Sequence, residues 1–236
     1  MKTSLFAQRA RGEEYLDHPD VSGKDLEQNL RELRFINHTL GGNHVTLQAL
    51  REVLNSKPDT KWFIGDLGCG GGDILLLIAK EMRRQKLSFS LAGIDMNEHT
   101  LRYAVLNTFD FGEIKYCLAN VLSDEFDASS FDIVNATLFC HHFSDDDLIA
   151  LLKKLRKQVR VAVIINDLHR HPFAFHSIRL LTRLFSRSYM VRHDAPLSVL
   201  RGFSKAELQH IAQEAGFSKI DIRWRWAFRW KVILRV

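Results

Sequence analysis

A glycine-rich turn is the part of the chain whose residue types most clearly suggest chemistry. Positions 65–72 read Gly-Asp-Leu-Gly-Cys-Gly-Gly-Gly. The dinucleotide pattern G-x-G-x-x-G starting at Gly68 would need glycine where Asp73 stands, and the Gly-Lys-Ser/Thr of a phosphate loop is absent. Asp73 would also repel a pyrophosphate at the start of the following helix. The turn therefore predicts a ligand that carries an adenosine but no phosphates.

A second acidic residue is placed to act with this turn. Asp95 ends a predicted strand in Ala-Gly-Ile-Asp-Met-Asn, 29 residues after Asp66. The carboxyl ends of parallel strands meet at one edge of a sheet, so both acids are expected at the edge where ligands bind. A carboxylate at that position can accept hydrogen bonds from both hydroxyls of a ribose.

The elements that must position these residues follow from the spacing of apolar residues. Two helices, over 25–40 and 43–54, are separated by Gly41-Gly42, and a turn over 56–59 ends the second. From residue 61, short apolar runs alternate with helical segments, which predicts βα units around a parallel sheet. Strands are predicted over 62–66, 89–95, 114–119, 131–137 and 159–166, and helices over 73–86, 98–107 and 145–157. A last helix after Ser204 precedes two closing antiparallel strands, over 217–224 and up to 236.

The chain resembles the class I S-adenosylmethionine-dependent methyltransferases over about residues 61–236. The glycine turn, Asp95, the Leu-Ala-Asn-Val at 118–121 and the Gly216-Phe217 junction carry this resemblance. It implies a Rossmann-like α/β fold: a seven-stranded, mostly parallel sheet with a terminal antiparallel hairpin, helices on both faces and an N-terminal helical lid. The domains expected are a lid over 1–57 and a methyltransferase domain over 58–236, with a basic helical insertion at about 168–203.

The resemblance also implies a cofactor, S-adenosyl-L-methionine, with S-adenosyl-L-homocysteine as product, and residues that bind it. Gly68, Gly70 and Gly71 would approach the methionyl part, Asp95 the ribose, Met96 the adenine face, and Asn120 with Val121 the adenine edge. The family often has Asp where this chain has Asn120. Asp66 would either face the cofactor amine through water or bind backbone amides of its own loop. Asn135 is a further candidate, and Arg34 or Asn37 would either reach the methionyl carboxylate or lie on an exposed polar face.

The segment after the fourth strand, Asn135-Ala-Thr-Leu-Phe-Cys-His-His-Phe-Ser144, is where class I enzymes place residues near the transferred methyl group. It holds neither the Asp/Asn-Pro-Pro-aromatic motif for base amino groups nor a Pro-Cys nucleophile, so nucleic acid is not the expected substrate. His141 or His142 could act as a general base, because imidazole titrates near neutrality. Alternatively, the pair packs structurally and the reaction depends on alignment alone.

The predicted insertion is strongly basic. Residues 168–205 hold seven Lys/Arg, four His and the single acid Asp194. Arg179, Arg183 and Arg187 recur every four residues beside an apolar stripe, which predicts an amphipathic cap. The stripe comprises Phe175, Ile178, Leu181, Leu184 and Phe185, and the expected substrate-binding residues are His169, His176, Arg179, His193 and Arg201.

A narrower resemblance concerns Leu33–Gly42, whose Leu-Arg-x-Ile-Asn-x-x-x-Gly-Gly pattern is similar to a bacterial group of class I methyltransferases linked to polyketide and aryl-lipid biosynthesis. It implies O-methylation of an apolar phenolic or carboxylated small molecule under the lid. In the last two strands Trp224, Trp226, Phe228, Trp230 and Val232 are expected on a buried face, with Arg223, Arg225, Arg229 and Lys231 on a solvated reverse. Membrane contact is therefore not expected.

Composition limits the alternatives. The 236 residues are 46% hydrophobic and contain no apolar run long enough to span a bilayer. Three cysteines without a CxxC pair favour a reduced cytoplasmic protein and predict no structural metal. The expected state is a monomer or homodimer. A nicotinamide oxidoreductase, an RNA methyltransferase and a non-catalytic cofactor-binding protein remain open as alternatives.

Overall fold

The computed structural model describes residues 5–18, 20–55 and 61–236. The turn predicted over 56–59 and the predicted domain boundary between residues 57 and 58 lie outside these ranges.

The described residues form one seven-stranded sheet in the order β3-β2-β1-β4-β5-β7-β6. Its strands are β1 Trp62–Leu67, β2 Phe89–Asp95, β3 Ile114–Leu118, β4 Ile133–Thr137, β5 Ala162–Leu168, β6 Lys219–Arg225 and β7 Arg229–Arg235. Neighbours among β1 to β5 pair in parallel, and β7 is antiparallel to both β5 and β6. The predicted fold class is confirmed. After β1 the chain adds β2 and β3 on one side of β1, and it then returns to add β4 on the other side. The strand order therefore reverses between β1 and β4, and a crevice opens at the carboxyl ends of these two strands.

Helices cover both faces of the sheet. They are α1 Gly23–Thr39, α2 Gly42–Leu54, α3 Asp73–Arg84, α4 Glu98–Asn107, α5 Asp145–Gln158, α6 Pro172–Phe185, α7 Tyr189–Arg201 and α8 Lys205–Glu214, with 3₁₀ turns at Tyr15–Asp17 and Cys140–His142. Three helices begin at side-chain caps: the side chains of Asn97, Ser144 and Ser204 each accept a hydrogen bond from a backbone amide three residues on.

The second helix is part of the domain core. Leu50 and Val53 of α2 are buried with Trp62 of β1 and Leu75 of α3. Asn166 of β5 donates from its side chain to the Gly42 carbonyl, which fixes the start of α2 against the sheet. The segment expected to form a lid over 1–57 therefore has two different parts. The helix α2 packs on the sheet as part of the core, whereas α1 and residues 11–18 border the crevice.

The expectation of a solvated face along the last strand is wrong. Arg229 and Lys231 are 3% and 0% exposed. This face is covered by α2, where Glu52 Oε2 accepts a 2.5 Å hydrogen bond from Lys231 Nζ. Trp226 and Phe228, which were expected to continue the buried alternation, lie in the turn between β6 and β7, and Trp226 is 66% exposed.

The basic insertion forms two helices, α6 and α7, and much of its predicted apolar stripe is not buried. Phe175 packs in a small core with Val199, whereas Leu181, Leu184 and Phe185 are exposed. The difference arises because only one side of α6 lies against the rest of the fold. No helix in the described ranges is both long and apolar enough to cross a membrane.

Candidate active site

The crevice at the carboxyl ends of β1, β2 and β4 contains a cavity of about 630 Å³, here called the cofactor cavity. This volume is within the usual range for small-molecule sites. The predicted residues that line it are Arg34, Asn37, Asp66, Gly68, Gly70, Gly71, Asp95, Met96, Asn120, Val121, His142 and Arg201. The structure thus brings together ten of the eleven residues predicted to bind a cofactor, together with one of the two histidines.

The glycine turn needs its glycines for two different reasons. At Gly68, which has φ of 62°, an added Cβ would lie 2.1 Å from the Phe139 ring, so both the backbone angle and the packing exclude a side chain. At Gly70, φ is 51°, yet an added Cβ would meet no atom within 4 Å. The backbone at Gly70 therefore faces open space, and a ligand can approach it closely.

Asp95 closes the turn from the neighbouring strand. Its Oδ2 accepts a 3.1 Å hydrogen bond from the Gly70 amide, and its Oδ1 accepts one of 3.0 Å from the Asn97 amide. Burial raises the pKa of this carboxyl, and the backbone amides act against the increase. The carboxylate is held in a fixed orientation at the edge of the cavity, with Met96 exposed beside it.

Asp66 is held from behind by Asn135. The Asn135 Nδ2 donates to Asp66 Oδ1 at 2.6 Å, and Asp66 is 2% exposed. Burial, helped by the charge of Asp95, raises the pKa of Asp66 to about 7. Asn135 itself does not line the cavity, because its side chain points at Asp66. Its predicted direct contact with a cofactor is therefore replaced by a positioning contact.

The first helix brings a positive charge to the glycine turn. Arg34 Nε lies 3.3 Å from Asp73 Oδ1, and its Nη1 donates to Asn107 Oδ1 at 2.8 Å. Burial raises the pKa of Asp73, and Arg34 opposes this. Asn37, one turn further along α1, accepts a hydrogen bond from Arg229. Both α1 side chains border the cavity, and whether either reaches a methionyl carboxylate stays a prediction.

A second, largely apolar cavity of about 330 Å³, here called the acceptor cavity, adjoins the first. The two cavities share five lining residues: Leu16, Leu33, Asn37, Leu138 and His142. The walls of the acceptor cavity come from α1, α6, α7 and the turn between β6 and β7. A molecule in it would therefore lie next to a ligand in the cofactor cavity.

His141 stands in the wall of the acceptor cavity, next to the junction. Its Nδ1 lies 2.7 Å from Asp167 Oδ1. Burial acts to raise the pKa of Asp167, but the charge and hydrogen bond of His141 outweigh it and lower that pKa. An ionised carboxylate can only accept, so Nδ1 carries a proton, and in the neutral imidazole Nε2 is the nitrogen that can accept one. This Nε2 lies 3.6 Å from Glu14 Oε1.

Two acids that the sequence reasoning missed complete this group. Glu14 is 3% exposed and its Oε1 has no hydrogen-bond partner among the described residues. Burial raises the pKa of Glu14 to about 7 against the charges of His142 and Arg201. Asp17 Oδ1 lies 2.5 Å from His142 Nδ1, while Arg201 Nη1 donates to Asp17 Oδ2 at 2.5 Å. Residues 11–18 show no helix or strand periodicity. The only sequence feature that could have indicated these two acids is their spacing of three residues.

The N-terminal segment is attached to the site through Arg9. The guanidinium donates to the backbone carbonyls of Arg201, His141 and Phe143 at 2.8 to 3.0 Å. Residues 11–18 consequently run over the junction of the two cavities and place Glu14 and Asp17 there.

The same cluster has the residue types of a metal site. One ligand atom from each of Glu14, His141 and His142 lies within 4.8 Å of the others. However, the Arg201 guanidinium lies 3.6 Å from Glu14 Oε1. A fixed positive charge at that distance opposes the binding of a cation.

Four of the five predicted substrate-binding residues lie elsewhere. Of the five, only Arg201 lines either of these two cavities. His169 packs against Trp230, His193 is bonded to Asp194, and His176 and Arg179 lie exposed on α6. On α6 the residues that line the acceptor cavity include Ser177, Ile178 and Leu181 instead of His176 and Arg179. A substrate role for these four residues stays a prediction. Arg229, which was not predicted, lines that cavity.

Comparison with known proteins was consistent with this geometry. A family model described as a methyltransferase domain matches residues 64–162. Carboxy-S-adenosyl-L-methionine synthase of Helicobacter pylori strain P12 is 21% identical over 197 residues, which are 78% of this chain and 79% of that protein.

Solved structures share the fold. The plantazolicin methyltransferase BpumL, in complex with S-adenosylhomocysteine, has a TM-score of 0.61 at 18% identity, over 85% of this chain and 72% of that one. Magnesium protoporphyrin IX methyltransferase from Synechocystis PCC 6803, also with S-adenosylhomocysteine, has a TM-score of 0.56 at 14% identity, over 84% of each chain. A candidate O-methyltransferase from Nostoc punctiforme PCC 73102 has a TM-score of 0.59 at 16% identity, and this chain spans 59% of its length.

Proposed function

The chain carries the methyltransferase domain of an S-adenosylmethionine-dependent enzyme, and we propose that it methylates an oxygen atom of an apolar, aromatic small molecule. The observation that carries the proposal is the shared wall between the two cavities, because it places an apolar binding space with a basic nitrogen beside the cofactor cavity.

The residues present fit the cofactor. Asp95 offers carboxylate oxygens to ribose hydroxyls, and the open backbone at Gly70 leaves room for a close approach. When bound, S-adenosylmethionine supplies a methyl group activated by a positively charged sulfur. Asp66 and Asp95 both line this cavity, and a cationic ligand there would favour the ionised form of Asp66, whose pKa burial raises to about 7.

The acceptor cavity suits an apolar molecule with one polar group. Its lining is dominated by side chains such as Ile36, Leu181 and Val199. Burial of an acceptor against these walls excludes water and holds it in one orientation, and alignment of this kind can contribute about 7 to 11 kcal/mol to lowering a barrier.

His141 is the residue we assign to the acceptor proton. Asp167 fixes the tautomer, so Nε2 can accept the proton of a hydroxyl as the new bond to oxygen forms. The imidazolium that forms carries a proton on each ring nitrogen. Asp167 stabilises it by accepting the hydrogen bond from Nδ1–H. A general base of this kind typically contributes a factor of about 10² to 10⁴ in rate.

A product analysis tests the function. The protein would be incubated with S-adenosylmethionine carrying an isotopically labelled methyl group and with pairs of aromatic acceptors that differ only in whether a hydroxyl is present. We expect label transfer to the hydroxylated member of a pair, with NMR placing the methyl group on oxygen. Methylation on carbon, or transfer to both members, would contradict the O-methylation proposal while leaving the methyltransferase activity itself intact.

An RNA substrate is less compatible with the site. Recognition of RNA relies on phosphate contacts from basic side chains, whereas the acceptor cavity is lined mainly by apolar groups. Arg179 and Arg183, which would supply such contacts, are exposed on α6 outside both cavities. Turnover in the acceptor screen would likewise exclude a non-catalytic role.

A further inference from the structure

Arg229, the first residue of β7, is a buried cation without an acidic partner among the described residues. It is 3% exposed and lines the acceptor cavity. Its Nη2 donates to Asn37 Oδ1 at 2.7 Å, but its Nη1 has no hydrogen-bond partner in the described part of the chain. A buried charge is normally paired, so a buried guanidinium that lines a cavity without an acidic partner requires an explanation.

The surroundings of Arg229 add further positive charge instead of an acidic partner. The guanidinium lies against Gly42, where an added Cβ would be 2.6 Å from the Arg229 Cζ. Gly42 is the first residue of α2, and a helix N-terminus carries partial positive charge. Arg229 and the start of α2 therefore add positive potential to the same wall of the cavity.

The nearby acid does not neutralise this charge. Burial lowers the pKa of Arg229 to about 10, and the charge of Asp167 acts in the opposite direction. However, both oxygens of Asp167 are engaged, by the ring and backbone of His141 and by the Leu168 amide. The negative charge of Asp167 is thus used to orient His141, and the Arg229 guanidinium retains unused hydrogen-bonding capacity.

We propose that the Arg229 guanidinium binds a carboxylate of the acceptor, so that the substrate is an aromatic or otherwise apolar acid. The inference rests on the assignment of the second cavity to the acceptor under the proposed function. It adds the chemical class of the substrate and the residue that selects it. An acceptor anchored at Arg229 extends its apolar body along α6, which contributes Phe173, Ala174, Ile178 and Leu181 to the cavity wall.

Binding of matched probes tests the proposal without requiring methyl transfer. The probes are para-hydroxybenzoate and its amide, titrated by calorimetry into protein saturated with S-adenosylhomocysteine. A charge-assisted hydrogen bond in a buried site should make the acid bind at least about tenfold more tightly than the amide. Arg229→Met should abolish this preference while keeping affinity for the amide. Arg223→Met, which removes an exposed arginine from the neighbouring strand β6, should keep the preference.

Stability supplies an independent readout. An arginine with a structural role would destabilise the fold when replaced, whereas removal of an unpaired buried charge by an apolar side chain of similar length should leave the unliganded protein at least as stable. Denaturant unfolding of Arg229→Met without ligand distinguishes the two. The proposal is overturned if wild-type protein binds neither probe or binds both equally, if Arg229→Met keeps the preference, or if this variant is clearly less stable. Absence of methyl transfer with intact acid selection would instead contradict the proposed function.

Discussion

Asp167 holds His141 at two points: its Oδ1 lies 2.7 Å from the ring Nδ1, and its Oδ2 accepts from the His141 amide at 3.2 Å. The acid stands near the end of β5 and the histidine in the turn after β4, so adjacent parallel strands deliver the two groups to one edge of the sheet. The double contact fixes both the ring orientation and its tautomer.

This relationship predicts a large loss of turnover in His141→Gln. If Nε2 removes the acceptor proton, kcat should fall by at least about a hundredfold, because glutamine cannot act as a base at neutral pH. The loss should shrink as pH approaches the pKa of the acceptor hydroxyl, since an ionised acceptor needs no base. Steady-state kinetics over a pH series, with calorimetry showing unchanged cofactor affinity, measures both effects.

Two further variants identify the part played by each group. Asp167→Asn should lower kcat comparably, because an asparagine amide favours the wrong tautomer. His142→Gln should affect kcat less, since the His142 Nδ1 is bonded to Asp17 at the junction of the cavities. If His141→Gln and His142→Gln both stay within about tenfold of wild type, the pair is structural and alignment alone drives the reaction.

Replacement of Asp95 tests the cofactor cavity. Asp95→Ala should weaken binding of S-adenosylhomocysteine at least about tenfold, because two charge-assisted hydrogen bonds of about 1.5 to 3 kcal/mol each are lost before water compensates. Calorimetry is the measurement, and Asp110→Ala, at an exposed site, is the matched control. Asp95 also accepts from the Gly70 amide, so a melting curve must accompany the titration. Unchanged affinity in a folded Asp95→Ala protein would remove the ribose assignment.

The parts of the site predicted from sequence are those built from a single strand and the turn that follows it. Asp66, the glycine turn and Asp95 could be located because the predicted parallel strands have their carboxyl ends at one edge of the sheet. The spacing of the glycines then limits the kind of ligand that can bind at that edge. Two helix starts also follow from the sequence, because Asn97 and Ser144 are residue types that favour the N-cap position and the helices begin directly after them.

The contributions that could not be predicted come from long-range packing. Glu14 and Asp17 reach His141 and His142 across more than a hundred residues of chain, through a segment without secondary-structure periodicity. Arg229 was expected to face solvent because its strand alternates charged and apolar residues, but α2 covers that face. The same alternation is compatible with either outcome, and only the tertiary position of α2 decides between them.

Removal of metal ions should leave activity unchanged. Glu14, His141 and His142 could contribute ligands, but the Arg201 guanidinium competes electrostatically for the Glu14 carboxylate. We expect protein dialysed against a chelator to retain its kcat, and added Zn²⁺ not to increase it. Stoichiometric zinc found by mass spectrometry, together with activity that is lost on chelation and restored by the metal, would contradict this and would reassign the cluster as a metal centre.

The pH dependence of stability gives a separate test of the buried cluster through Glu14→Gln. Burial raises the pKa of Glu14 from 4.5 to about 7, so the folded state favours the protonated form. For such a group the contribution to stability is complete below the unfolded pKa and is lost as pH rises through the folded one. Glutamine stays neutral, and its advantage over Glu14 should grow from nothing below pH 4.5 to a plateau above about pH 7.

The plateau is at most about 3 to 4 kcal/mol, since each unit of pKa difference corresponds to about 1.4 kcal/mol. Denaturant unfolding of wild type and Glu14→Gln across this range measures the difference, with the exposed neighbour Glu13→Gln as a control that should show none. Asp17→Asn should behave oppositely. Although burial acts to raise its pKa, the bonds to His142 and Arg201 hold the pKa of Asp17 below its usual range, so its stabilisation is present at neutral pH and lost in acid. A Glu14→Gln protein that is less stable than wild type at pH above about 7 would show that the ionised carboxylate is needed by the fold, and that Arg201 compensates its burial.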